Sequence, residues 1–323
     1  MVPLVSVLMV TFNHEKYIAQ ALESILMQIT NFKYEIIIGE DCSTDNTKLI
    51  IRKFENKYPG RIFPIYHEAN VGPMRNVYEF TFPKCTGKYI AALEGDDYWT
   101  DPNKLQRQVA FLEANPDFSI CFHNMQIIYE NSPEKNHLSN IEQKEISDIN
   151  DLARYNYIYT ASCMFRNQYS SIPGWFLDCP VGDYPMHLFN AQFGKIKFIN
   201  ETMAVYRIHD NGIWENKPMT YKQINWINLL SVLIGKFEEK VNNILVQQQI
   251  YILKILDLNN IDFSSKEFPA FLKNIIEDYI KQKSHNIELA KEIKILKKSR
   301  TYRLVYFLQK PLIKIKKAFK HHS

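Results

Sequence analysis

A chain of 323 residues, 46% hydrophobic and 23% charged, is long enough to bury a sizeable core and too apolar to stay disordered. The net charge of +4 is concentrated at one end: the cations Lys291, Lys294, Lys297, Lys298, Arg300, Arg303, Lys310, Lys314, Lys316, Lys317 and Lys320 meet a single acid, Glu292, and everything before them is net acidic. The scattered cysteines Cys42, Cys85, Cys121, Cys163 and Cys179 show no CxxC spacing, which excludes a zinc knuckle and a disulfide framework and favours a reducing compartment.

Val5–Val10 is a continuous apolar, β-branched run and predicts a first core strand. Its context VPLVSVLMVTF lacks the basic region and cleavage site of a signal peptide, so a cytoplasmic protein is expected. A helical pattern follows from about His14 to Met27. Tyr34–Ile38 repeats the strand signal, and Ser43, Thr44 and Asp45 offer N-cap chemistry for a helix to about Tyr58. Arg61–Tyr66 is strand-like. Asn70-Val71-Gly72-Pro73 turns into a helix ending near Pro83. Tyr89–Leu93 then runs into LEGDDYW, and Asp101-Pro102 opens another helix.

Residues 130–150 are polar and predict a surface loop. Strand signals return at Tyr157–Phe165, a helix is expected around Tyr184–Phe193, and Met203–Ile208 is the last strand-like run. From about Tyr221 the pattern is helix after helix, with no internal repeat. The reading is an α/β domain over residues 1–213, with a largely parallel sheet covered by helices on both faces, and a helical region over 214–323. No apolar run is long enough to span a bilayer.

In such sheets ligands bind beyond the carboxyl ends of the strands. The first strand delivers Thr11, Phe12 and Asn13 there, the second Glu40 and Asp41, and the fourth Glu94, Gly95, Asp96 and Asp97. Adjacent carboxylates repel, so Asp96-Asp97 is either a solvated turn or the seat of something positive. No GxGxxG or GxxxxGK loop follows any strand, so a bound nucleotide would need another way to neutralise its phosphates. A divalent cation on Asp96 and Asp97 would supply it, hard oxygens suiting Mg2+ or Mn2+.

VSVLMVTFNHEKYIAQALESILMQ, GEDCSTDNT, NVGPMRN, LEGDDYW and GDYPMHLFNAQFGKIKFINETMAVYRIHDNG resemble, in order and spacing, the family 2 glycosyltransferases of the GT-A fold, over residues 3–212. The resemblance implies an inverting, metal-dependent hexosyltransferase. Its donor would be a nucleoside-diphosphate sugar, UDP- or dTDP-linked, and its acceptor a saccharide or lipid-linked molecule in surface polysaccharide synthesis. By position it implies that Thr11, Phe12 and Asn13 line the base and ribose site, Asp41 accepts from the base, and Arg75 lies near sugar or diphosphate. Asp96 would face ribose and metal, Asp97 the metal, His209 would complete the metal or diphosphate site, and Asp183 would be the catalytic base. Glu40 stands where many members carry Asp, and Cys42 where Gly is usual.

Read without the resemblance, Asp183 could cap the helix at 184–193, Arg75 could cover its own helix, and His14, His67, His123 and His187 are satisfied polar residues. A sugar nucleotidyltransferase should carry a glycine-rich basic loop where TFNHEKYI stands. A glycoside hydrolase needs its carboxylates apart rather than adjacent. A non-catalytic nucleotide-sugar-binding protein is the remaining alternative. The tail over residues 297–323 interleaves bases with Tyr302, Leu304, Val305, Phe307, Leu312, Ile315 and Phe319. Such a helix can lie on an anionic membrane surface at the inner face of the cell membrane, or pack on protein. No recognition motif for nucleic acid accompanies the charge.

Overall fold

A computed structural model describes residues 2–139, 142–168, 171–210, 212, 214 and 217–256; the basic tail of residues 297–323 lies outside them. The described chain divides into two compact units, the second beginning at Lys217.

The first unit is built on one mixed sheet. Its strands are β1 (Val5–Thr11), β2 (Tyr34–Glu40), β3 (Ile62–Tyr66), β4 (Tyr89–Glu94), β5 (Tyr98–Trp99), β6 (Phe118–Tyr129), β7 (His137–Leu138), β8 (Ile146–Ser147), β9 (Met164–Arg166) and β10 (Lys195–Ile208). They run in the order β3-β2-β1-β4-β9-β6-β10-β5, with β7 on β6 and β8 on β10. Pairing among β3, β2, β1 and β4 is parallel, as is that of β6 with β10. The antiparallel β9 joins the two blocks, and β5 is antiparallel to β10.

The helices are α1 (Ile18–Leu26), α2 (Thr47–Lys57), the single turn α3 (Pro73–Arg75), α4 (Lys104–Ala114), α5 (Ile149–Leu152) and α6 (Asp183–Ala191). The central strand β1 is covered on both faces, Val5, Val7 and Met9 being buried on one and Ser6 and Leu8 on the other, which is why it reads as an almost unbroken apolar run rather than an alternation. Ser6 tolerates the same burial because its hydroxyl donates to Glu35 at 2.6 Å and accepts from Gly87 N–H at 2.8 Å. After α3 the chain winds wider, as a π-turn (Asn76–Thr81) and a 3-10 turn (Phe82–Lys84). The wider turn seats Asn76 on β2, donating to Gly39 C=O at 2.9 Å. A Cβ on Gly39 would come within 2.0 Å of Asn76 Oδ1, so only glycine fits.

Two departures from the expected elements have clear causes. The polar stretch after Tyr129 is not all loop: β7 and β8 pair with β6 and β10, where strand pairing rather than composition decides. The expected strand at Tyr157–Phe165 is irregular chain and a 3-10 turn (Thr160–Ser162) until its last two residues, which begin β9. The bend points Ala161 C=O at the buried Trp99 indole N–H, 2.9 Å away, and Ser162 C=O at Gln108 Nε2, 2.9 Å away.

The second unit contributes α7 (Met219–Leu233) and α8 (Glu239–Ile255). Gly235, at φ 87, makes the turn between them, and Gln249 ties the pair by donating to Ile227 C=O and Ser231 Oγ. No described helix is long and apolar enough to cross a membrane.

Candidate active site

Strand register brings three carboxyl ends together, since Thr11 pairs with Glu40 and Val10 with Glu94. Beyond them opens a cleft enclosing about 920 Å3, space open to solvent included. Its wall includes Thr11, Phe12, His14, Asp41, Glu94, Asp96, Arg207 and His209. The last two arrive because the chain turns back after β4 to form β5, which pairs through Tyr98 and Trp99 with Val205 and Ala204 of β10.

The acidic turn divides its carboxylates between the cleft and the interior. Glu94 and Asp96 face the cleft. Asp97 points away, 1% exposed, with Oδ1 accepting from Arg207 N–H at 2.9 Å and Oδ2 without a hydrogen-bond partner. The adjacent pair is therefore split, and Glu94 rather than Asp97 shares the cleft with Asp96. The sequence brought Glu94 to this edge of the sheet without giving it a role; its place on the wall comes from how the turn after β4 folds. Burial first, then the charges of Asp96 and Asp183, push Glu94 up to about 8. Burial also works against ionisation of Asp96. It is outweighed by the bond to His209 and the charges of His14 and His209, which hold that carboxyl below its ordinary value.

Asp96 Oδ2 lies 3.2 Å from His209 Nε2 and 3.5 Å from His14 Nε2. His14, read from sequence as a satisfied polar residue, is thus on the cleft wall; its Nδ1 and Thr11 Oγ1 are buried with no hydrogen-bond partner among the described residues. Arg207 locks the turn from behind. Its guanidinium donates to Asp96 C=O and to Gln20 Oε1, and lies over the rings of Tyr17 and Tyr98 at 4.6 and 5.0 Å. Nothing in the spacing of YRIH distinguishes this arginine from an exposed one.

The remaining expected residues take different places. Thr11 and Phe12 line the cleft. Asn13, in the left-handed region at φ 56, accepts from Thr44 N–H at 2.8 Å, while its own N–H donates to Ser43 Oγ, so it ties the first loop to the second. Asp41 lies on the wall with both oxygens engaged, accepting from Val71 N–H at 2.7 Å and Gly72 N–H at 3.0 Å. Cys42 sits at φ 60, the backbone region that glycine enters most easily. Arg75 is more than half exposed and pairs with Glu79 at 2.7 Å, outside the set lining the cleft. Asp183 opens α6 and accepts from Asn156 Nδ2 at 2.8 Å, near enough to Glu94 for its charge to raise that carboxyl.

Among the described residues no group of three or more His, Cys, Asp or Glu side chains is assembled as a metal cage. The cleft does offer an incomplete donor set, the Asp96 carboxylate beside the His209 imidazole. That fits a hard divalent cation completing its shell with phosphate oxygens and water.

The family model for "Glycosyl transferase family 2" matches residues 6–171. An uncharacterised protein of Mycobacterium tuberculosis is 37% identical over 213 residues, which is 65% of this chain and 60% of that protein. The matched stretch thus falls short of two thirds of the relative's length. The fold is similar to Staphylococcus aureus TarS bound to UDP-GlcNAc, with a TM-score of 0.58 at 16% identity, over 84% of this chain and 79% of the other. It is similar also to the mannosyltransferase PcManGT of Pyrobaculum calidifontis in complex with GDP-Man and Mn2+, with a TM-score of 0.54 at 15% identity, over 97% and 86% of the two chains.

Proposed function

The chain belongs to glycosyl transferase family 2, and from that premise we propose that it moves a sugar from a UDP- or dTDP-linked donor to a saccharide or lipid-linked acceptor, with inversion at the anomeric carbon. The observation that carries the reading is the meeting of Glu94, Asp96 and His209 on the wall of one cleft, with Asp183 near enough to Glu94 for its charge to be felt there. Phe12 and Asp41 would receive the base, the first by stacking and the second as acceptor. Asp96 and His209 would hold a divalent cation, Mn2+ or Mg2+, with Asp97 and Arg207 fixing the turn behind them. Bound there, such a cation would supply positive charge against that developing on the departing diphosphate.

Asp183 takes the proton of the acceptor hydroxyl. The freed oxygen then forms its bond to the anomeric carbon on the side opposite the diphosphate, whose bond to that carbon breaks with the electron pair leaving on the phosphate oxygen. The cleft aligns donor and acceptor so that the step is effectively unimolecular. On this reading the product would enter surface polysaccharide synthesis, at the inner face of a membrane approached through the basic tail.

The test is a thermal-shift titration with UDP, dTDP and GDP, each with Mn2+ and again with EDTA, followed by turnover of the matching nucleotide sugars. Ligand at about 100 times its Kd adds roughly 2.7 kcal/mol of stability. A metal-dependent shift with one nucleotide is expected, and Asp183→Asn should keep that shift while abolishing transfer. Turnover retained in Asp183→Asn removes Asp183 from the base role; no shift with any nucleotide overturns the donor reading.

A further inference from the structure

We infer that Asn156 is a positioning residue for Asp183, holding one carboxylate oxygen so that the other is presented to the acceptor hydroxyl. The inference rests on the reading of Asp183 as base. Asn156 lies in the connection between α5 and the 3-10 turn at Thr160–Ser162. Its Oδ1 accepts from Ile158 N–H at 3.3 Å, and its Nδ2 donates to Asp183 Oδ2 at 2.8 Å. These two contacts have opposite polarity and therefore fix the amide. Turned over, it would set oxygen against carboxylate and NH2 against N–H. Asn156 can consequently offer Asp183 only a donor.

Each side of this contact is anchored without it. Tyr184, the residue after Asp183, donates from its hydroxyl to Leu152 C=O at 3.0 Å. Tyr157, the residue after Asn156, is buried, with its hydroxyl 2.8 Å from Ser147 Oγ. The Asn156–Asp183 bond is thus not what holds the loop to the helix. Asp183 Oδ1 receives no hydrogen bond from any described residue. The titratable groups around Asp183 are Glu94, Cys163, and His187 one turn along α6, buried and pushed down to about 4 by that burial. A donor fixed at Oδ2 holds the carboxylate against rotation about its side-chain bonds, and a base must sit within hydrogen-bond reach of the proton it takes.

The experiment uses the full chain and follows UDP release from UDP-GlcNAc and UDP-glucose. Asn156→Ala should lower kcat about 10-fold. Asn156→Asp, which keeps the shape and the Ile158 bond but sets carboxylate against carboxylate, should lower it about 100-fold, both being parts of the 10²–10⁴ a general base supplies. Donor KM and the UDP-induced thermal shift should stay at the parent values, and the acid limb of kcat against pH should move up in Asn156→Asp. If both variants keep the parent kcat and pH profile while Asp183→Asn abolishes turnover, the inference falls and the base reading stands. If Asp183→Asn turns over normally, both fall. Independently of turnover, the Asn156 side-chain amide resonances should move with pH in the parent and cease to do so in Asp183→Asn; resonances blind to that substitution overturn the contact itself.

Discussion

Lys104 is fully buried at the start of α4, its ammonium bonded to Gln108 Oε1 at 2.8 Å and lying 4.1 Å from the centre of the Trp99 ring. From sequence it is one more lysine in the first turn of a helix, where most are solvated; only the folding of β5 over it reveals otherwise. Burial pushes it down to about 7. Between pH 7 and 9 the unfolded chain therefore holds a proton at this residue that the folded chain increasingly lacks. Stability from this residue then rises with pH, by at most about 1.4 kcal/mol per pH unit. Lys104→Met fills similar space without the charge and should be more stable than the parent at pH 7, by a margin that shrinks toward pH 9. Melting temperatures of the two proteins across that window check it, and a margin independent of pH would show that Lys104 does not titrate there. The acidic turn teaches the complementary lesson. LEGDDYW advertises its adjacent Asp96 and Asp97, yet the turn after β4 gives the cleft Glu94 and Asp96 and leaves Asp97 buried behind the wall.

The turn from Glu94 to Asp97 is the element on which the site depends, because it joins β4, at the end of the parallel block, to β5, which runs antiparallel against β10. The parallel block was legible because strands buried on both faces read as apolar runs between capped helices. The second block was less so: β6 drew no strand expectation, the signal at Tyr157–Phe165 became a strand only at its end, in β9, and β10 begins at Lys195, well before the expected Met203, with register shifts around Thr202. Its pairing with β6 and β5, not its composition, makes it a strand, and that pairing delivers Arg207 and His209. Gly95 is where the turn passes over the first loop. A Cβ there would meet Thr11 Oγ1 at 2.5 Å and His14 Nδ1 at 2.9 Å. Gly95→Ala should displace the turn, lowering stability by about 1–3 kcal/mol and weakening UDP–Mn2+ binding at least 10-fold. Calorimetric titration alongside thermal melts reads both, and parent-like affinity would mean that the turn has slack the packing does not suggest.

At the scale of the whole molecule, charge is segregated. The acids that would hold a cation lie in the first unit, whereas the bases gather after Lys291, with apolar residues interleaved. Self-association between such halves is one use of the arrangement, but it does not call for Leu304, Val305, Phe307, Leu312, Ile315 and Phe319 among the bases. An anionic bilayer takes both kinds of side chain, the apolar ones into the headgroup boundary and each base contributing on the order of 1 kcal/mol. A lipid-linked acceptor would reside in that same surface, so the tail would raise the local concentration of enzyme over substrate rather than alter the chemistry. The full chain should therefore sediment with vesicles containing phosphatidylglycerol and not with pure phosphatidylcholine, and should be released as salt shortens the screening length from about 10 Å at 0.1 M toward 3 Å at 1 M. Replacing Lys310, Lys314, Lys316, Lys317 and Lys320 by Gln should abolish the sedimentation while leaving UDP-induced thermal shifts unchanged, since those residues lie far along the chain from the cleft's own. Equal sedimentation of parent and variant would assign the basic tail to a protein surface instead.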